Sequence, residues 1–146
     1  MPLRIANVRS WTPERVGSAA ADIHDCIQCI VNEHPDELTT KWLIDEMVAD
    51  RKQLWVAFEE AEPDTVVMVA FTEIRHFLAT GHTYMLITGL AGDGIHDALP
   101  MLRELERWGQ ERGAQSTKVK GRGGWTKLLK PHGYTRTSTE LTKTLA

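Results

Sequence analysis

From Gln53 to Leu90 the chain passes through three runs rich in β-branched and aromatic residues, QLWVAFEE, TVVMVAFTEIRHFL and HTYMLITGL. Only AEPD separates the first two, and a turn around Gly81 separates the second from the third. Strand-like runs with breaks this short read as consecutive hairpins. They commit the middle of the chain to a sheet, which the flanking segments must cover.

Those flanks carry the helical period. LRIANV reads as a short first strand. TPERVGSAAADIHDCIQCIVNEH reads as a helix with Thr12 as N-cap, Pro13 at the first helical position and Glu14 in the first turn. Its apolar stripe is Val16, Ala20, Ile23, Ile27, Ile30 and Val31. A second helix is expected to restart after Pro35, with Leu38, Trp42, Ile44 and Met47 on its apolar side. Beyond the sheet, DALPMLRELERWGQERG places Ala98, Leu102, Leu105 and Trp108 on one side, and Gly113 stops the helix. Pro100 is tolerated only within a first turn. The helix is therefore expected to begin near His96 or Asp97, with Asp97 as its N-cap. STKVK is a short strand, GGWTKLLKPHGY a short helix broken by Pro131, and GYTRTSTELTKTLA a final strand with a Thr-rich face. The order is β-α-α-β-β-β-α-β-α-β, an α/β (α+β) chain. Its 146 residues suit a single domain.

Composition excludes several classes. At 42% apolar and 25% charged, with a formal charge of −3, the chain is an ordinary globular one with no general affinity for nucleic acid or membranes. No apolar run approaches bilayer length, and the N-terminus lacks a signal-peptide core, so a cytoplasmic protein is expected. Charge is uneven, however. Gly113 to Thr139 holds no Asp or Glu but has Lys118, Lys120, Arg122, Lys127, Lys130 and Arg136. That stretch reads as a solvated face or an anion-binding patch. It lacks the interleaved aromatics of single-strand binders, which argues against a nucleic-acid partner. Cys26 and Cys29 form C-x-x-C on the helical stripe, and His24 and Cys26 face different ways. Buried small hydrophobes are expected there and no metal site.

Between the third central strand and its helix lies GLAGDGIHDALP, residues 89–100. A Gly-rich strand-to-helix turn can hold a phosphate on its backbone amides. This one carries Asp93 and Asp97 and no cation. Two carboxylates about 5 Å from a diphosphate would cost roughly 1 kcal/mol each even when screened.

The element order, this loop and WTKLLKPHGY together resemble the GNAT superfamily of N-acetyltransferases, as a divergent, phage-like member with one domain over residues 1–146. The loop is similar to the family's pyrophosphate loop, an Arg/Gln-x-x-Gly-x-Gly/Ala pattern. Gly92 and Gly94 keep the glycines, and Gly89 stands where the family has Arg or Gln. Counting back from Gly133, the family's Tyr position falls near Leu129. The resemblance implies acetyl-CoA as substrate, its pantetheine arm along Thr88, Gly89 and Leu90. Its pyrophosphate would lie on the amides of Gly92, Asp93, Gly94, Ile95 and His96. Arg122 and Lys127 are candidates to offset the acidic loop.

Three residues are candidates for chemistry. Glu73, late in the second hairpin strand, lies where the family often places a catalytic carboxylate. His96 sits at a helix start, which favours the neutral, basic imidazole. Tyr134 is either a thiolate acid or the family's structural aromatic. His76 is a further histidine near Glu73.

Two functions follow from the resemblance. One is acetyl transfer to a primary amine of a small molecule or a protein. The other is a GNAT-fold protein without cofactor in a binding or structural role, for example a phage virion component, with a homo-oligomeric or virion partner.

Overall fold

The computed structural model describes residues 2–120 and 124–145. Among them, five strands form one sheet in sequence order: β1 Leu3–Asn7, β2 Gln53–Glu59, β3 Val66–His76, β4 Thr83–Ala91 and β5 Ser116–Val119. The first four pair antiparallel. β5 returns parallel to β4 after a helical crossover. Alternation along β2 and β3 sends Leu54, Val56, Val69 and Phe71 to one face, and Trp55, Ala57, Met68 and Ala70 to the other. Two cores result. One lies under α1 (Pro13–Glu33) and α2 (Thr40–Val48); the other lies under α4 (Leu102–Glu111) and α5 (Gly124–Leu129). This is the mixed, helix-flanked sheet expected from the sequence.

Local signals explain the element ends. Thr12 Oγ1 accepts the Arg15 amide at 3.1 Å, with Pro13 at the first position of α1. Gly113, at φ 90°, follows α4.

Three expectations are corrected. α2 does not restart after Pro35. Residues 35–39 turn, with the Leu38 amide returning to His34 O, and Thr39 Oγ1 then caps the helix through the Trp42 amide at 3.0 Å. Leu43 becomes the buried anchor of α2, and Trp42 is 43% exposed.

Asp97 is not an N-cap. The helical turn α3 (Ile95–Ala98) opens at Gly94 without a side-chain cap, and Ala98 N donates to Gly94 O at 3.0 Å. Pro100 then falls in a 3₁₀ turn, Leu99–Met101, between α3 and α4.

The last expected strand does not form: residues 134–145 pair with no strand among the described residues, and most are exposed. Thr alternates with polar residues along much of this segment, which leaves little apolar surface to bury.

No described helix is long and apolar enough to cross a membrane.

Candidate functional site

The site is made where β4 leaves β5. The two strands pair only from Tyr84–Ser116 to Ile87–Val119, and the Lys120 amide closes the ladder on Ile87 O at 3.1 Å. Beyond that point β4 runs on through Thr88–Ala91, bonded only to β3 among the described residues. Its outer edge there is open. A β-bulge lies at the same place: Ile87 faces Thr72 and Gly89 faces Phe71, so Thr88 has no partner. Thr88 follows Leu86 onto the α1–α2 side by ordinary alternation, and the bulge turns Gly89 to that side as well.

On that side lies a cavity of about 410 Å³. Its floor is Glu73 and Arg75 of β3 with Leu86 and Thr88 of β4; its walls include His34, Leu38, Trp42, Lys52 and Lys120. Lys52 is 3% exposed and its ammonium lies 2.9 Å from Glu73 Oε1. Arg75 reaches the same oxygen at 3.2 Å. Across the cavity Lys52 faces the Trp42 ring at 5.1 Å. Neither ion pair on Oε1 has hydrogen-bond alignment, so this buried oxygen lacks an aligned donor. Thr88 Oγ1 is likewise buried without a partner among the described residues. A buried hydroxyl left unpaired, as at Thr88, costs about 1–3 kcal/mol, which a polar ligand in this cavity would remove.

The glycine loop passes along the other end of β4. Gly92 sits at φ 155°, and a Cβ on it would lie 2.1 Å from Val67 O. A Cβ on Gly94 would lie 2.6 Å from Val67 Cβ, and one on Gly89 would lie 2.5 Å from Ile30. Packing against β3 and α1 thus accounts for all three glycines. The Gly94 amide donates to Val67 O at 3.0 Å. The amides of Asp93, Ile95 and His96 have no backbone acceptor among the described residues. Asp93 and Asp97 are both exposed.

The three candidate chemical residues are not brought together. Glu73 lines the cavity. His96 is exposed on α3 and does not line it. Tyr134 packs into the core beneath α4, on the opposite face of the sheet, and its hydroxyl donates to Glu106 Oε2 at 2.6 Å. Burial, reinforced by the Glu106 carboxylate, pushes the Tyr134 phenol above its ordinary value.

Of the cofactor candidates, Thr88, Gly89 and Leu90 lie on the open edge of β4. Gly92, Asp93, Gly94, Ile95 and His96 form the loop. Lys127 is exposed on α5, and Arg122 lies outside the described residues. His76 pairs with Thr83 Oγ1 at 2.9 Å at the exposed end of the hairpin. Cys26 is buried and Cys29 exposed, and no metal-ligating cluster occurs among the described residues.

Sequence reasoning missed Lys52, Arg75 and the wall around Trp42. A signal existed: Gln53 pairs with Thr72, so Lys52 falls across from Glu73, and Arg75 shares Glu73's face two residues on. Reading it requires the register, which a bulge at Ala57–Phe58 shifts.

No family model and no curated protein sequence matches the chain. Solved structures match it in fold. A GNAT family acetyltransferase from Staphylococcus aureus superposes with a TM-score of 0.66 at 10% identity, over 99% of this chain and 100% of that one. A glucosamine-6-phosphate N-acetyltransferase from Arabidopsis thaliana gives 0.66 at 12% identity, over the whole of both chains. A predicted acetyltransferase from Clostridium acetobutylicum, solved with acetyl-CoA, gives 0.63 at 13% identity, over 98% of this chain and 95% of that one.

Proposed function

We propose that this chain, which has the fold of the GNAT acetyltransferases, moves an acetyl group from acetyl-CoA to a primary amine held in the Glu73 cavity. The observation that carries the reading is the double position of Thr88. It lies on the open edge of β4 and also in the cavity wall. An extended thioester arm added along Thr88–Ala91, as an extra strand would be, ends beside Glu73.

Bound acetyl-CoA would supply the thioester carbon that the amine attacks. The chain's own residues do the rest. Gly89 and Leu90 offer main-chain groups to the arm. Thr88 Oγ1, without a partner among the described residues and facing the cavity, orients the amine. Glu73 takes the proton the amine loses as its N–C bond forms. The C–S bond breaks and the departing thiolate takes a proton from water, since Tyr134 lies across the sheet with its hydroxyl donating to Glu106.

A second reading, a cofactor-free GNAT-fold protein with a binding or structural role, is favoured by the loop. Val67 already takes the Gly94 amide, and two exposed carboxylates stand at the turn. Calorimetric titration with acetyl-CoA separates the two. Micromolar binding with acetyl transfer to an amine supports the transferase. No binding at millimolar acetyl-CoA overturns it in favour of the second reading. In the first case Glu73→Gln lowers kcat by about 10²-fold or more while retaining acetyl-CoA affinity.

A further inference from the structure

We infer that the amine this cavity accepts also carries an anionic group, a carboxylate or a phosphate. The inference rests on reading the cavity as the acceptor site. Its ground is the balance of charge in the lining. Lys120 is matched by Glu37 at 3.3 Å, and both are about half exposed. That leaves Lys52 and Arg75 with one carboxylate, Glu73, and both meet it at the same oxygen. Arg75 reaches solvent, but Lys52 is 3% exposed and has the Trp42 ring on its other side. Around Glu73 the lining therefore holds two cations to one carboxylate, with Lys52 buried against it and Arg75 half exposed. Two cations on one carboxylate oxygen leave the desolvated Lys52 ammonium only partly compensated, and a second anion in the cavity removes that cost.

The same geometry penalises a plain alkylamine. It would enter as a further cation, compete with two resident cations for Glu73 and have to release one proton to water before it could attack. An anionic group on the ligand changes this. It draws Lys52 and Arg75 onto itself through charge-assisted hydrogen bonds, bidentate where the guanidinium is concerned. Glu73 Oε1, buried and without an aligned donor, is then open to the amine. The substrate's own anion thus uncovers the base that its amine needs. A volume of about 410 Å³ suits a metabolite-sized ligand of this kind.

Two matched pairs of amines test it: β-alanine against 3-aminopropanamide, and O-phosphoethanolamine against ethanolamine. Binding of each amine alone is measured by calorimetry, and acetyl transfer by thiol release. The expected result is that at least one anionic member binds about tenfold or more tightly than its neutral partner and shows a correspondingly lower KM. The pair that responds tells carboxylate from phosphate. Arg75→Gln, at a half-exposed position, reduces the preference to about twofold or less, as does Lys52→Met if it folds. Equal or tighter binding of both neutral members overturns the inference. So does a preference that survives Arg75→Gln, or no binding by any of the four amines. Because the amine calorimetry needs no acetyl-CoA, a preference seen without acetyl transfer leaves the inference standing and counts only against the transferase reading.

Discussion

The Gly94 amide donates to the carbonyl oxygen of Val67 at 3.0 Å, so the turn that opens α3 is bound to β3. The same carbonyl is the atom a Cβ on Gly92 would strike. The Gly-x-Gly pair is therefore a close-packing device as well as a candidate anion cradle. It leaves Asp93, Ile95 and His96 to supply donors.

Gly92→Ala should cost about 2–3 kcal/mol, from overlap with Val67 and an unfavourable φ. Gly17, in the first turns of α1, is the control, because a Cβ added there would meet nothing within 4 Å. Gly17→Ala should gain about 0.5–1 kcal/mol. Urea unfolding of the two variants checks both signs.

Lys52 and Glu73 form a pair buried on at least one side. Glu73→Leu should destabilise by about 3 kcal/mol, since it leaves the buried Lys52 without a carboxylate, and Lys52→Met should cost less, since Arg75 still meets Glu73. The double variant should lose less than the sum, with a coupling above about 1 kcal/mol. A double-mutant cycle by chemical denaturation measures it.

Thr88→Val removes a buried hydroxyl that has no partner among the described residues. Its thermal stability should be unchanged or higher, by up to about 1 kcal/mol. Its KM for the amine should rise. Loss of stability would show that the hydroxyl has a structural partner.

Burial pushes the Cys26 thiol from 9.0 up to about 12, with Cys29 and nearby carboxylates adding to it. The folded chain thus keeps this proton where the unfolded chain releases it. The contribution is intact below pH 9 and is lost as pH rises toward 12. Tyr134, also raised above its ordinary 10.0, acts in the same direction above pH 10. Denaturant midpoints should therefore fall above pH 9, less steeply in Cys26→Ala. A thiol reagent at neutral pH should label Cys29 in the folded chain and Cys26 only after unfolding.

Much of this fold was legible because its signals are local. Thr12 with Pro13 starts α1, and Gly113 ends α4, through groups within a few residues of each other. The three central runs became β2, β3 and β4 because period-two patterning survives without knowledge of partners. Misplaced boundaries came from competition between local signals. Thr39 out-competed Pro35 as the start of α2, because its hydroxyl satisfies a helical amide that proline can only leave vacant. Asp97 lost the cap of α3 to a turn already tied to Val67.

The sequence by itself determined the element types as far as α5, the sheet-forming centre, the glycine turn and Glu73 as a carboxylate on a central strand. Tertiary structure decided what Glu73 is next to. Lys52, Arg75 and Thr88 reach the cavity through strand register, a bulge beside Thr88 turns Gly89 toward α1, and Tyr134 is carried to the other face of the sheet. Register and bulges arise from pairing between segments far apart in the chain. A one-residue shift turns every side chain over, so no local pattern specifies them.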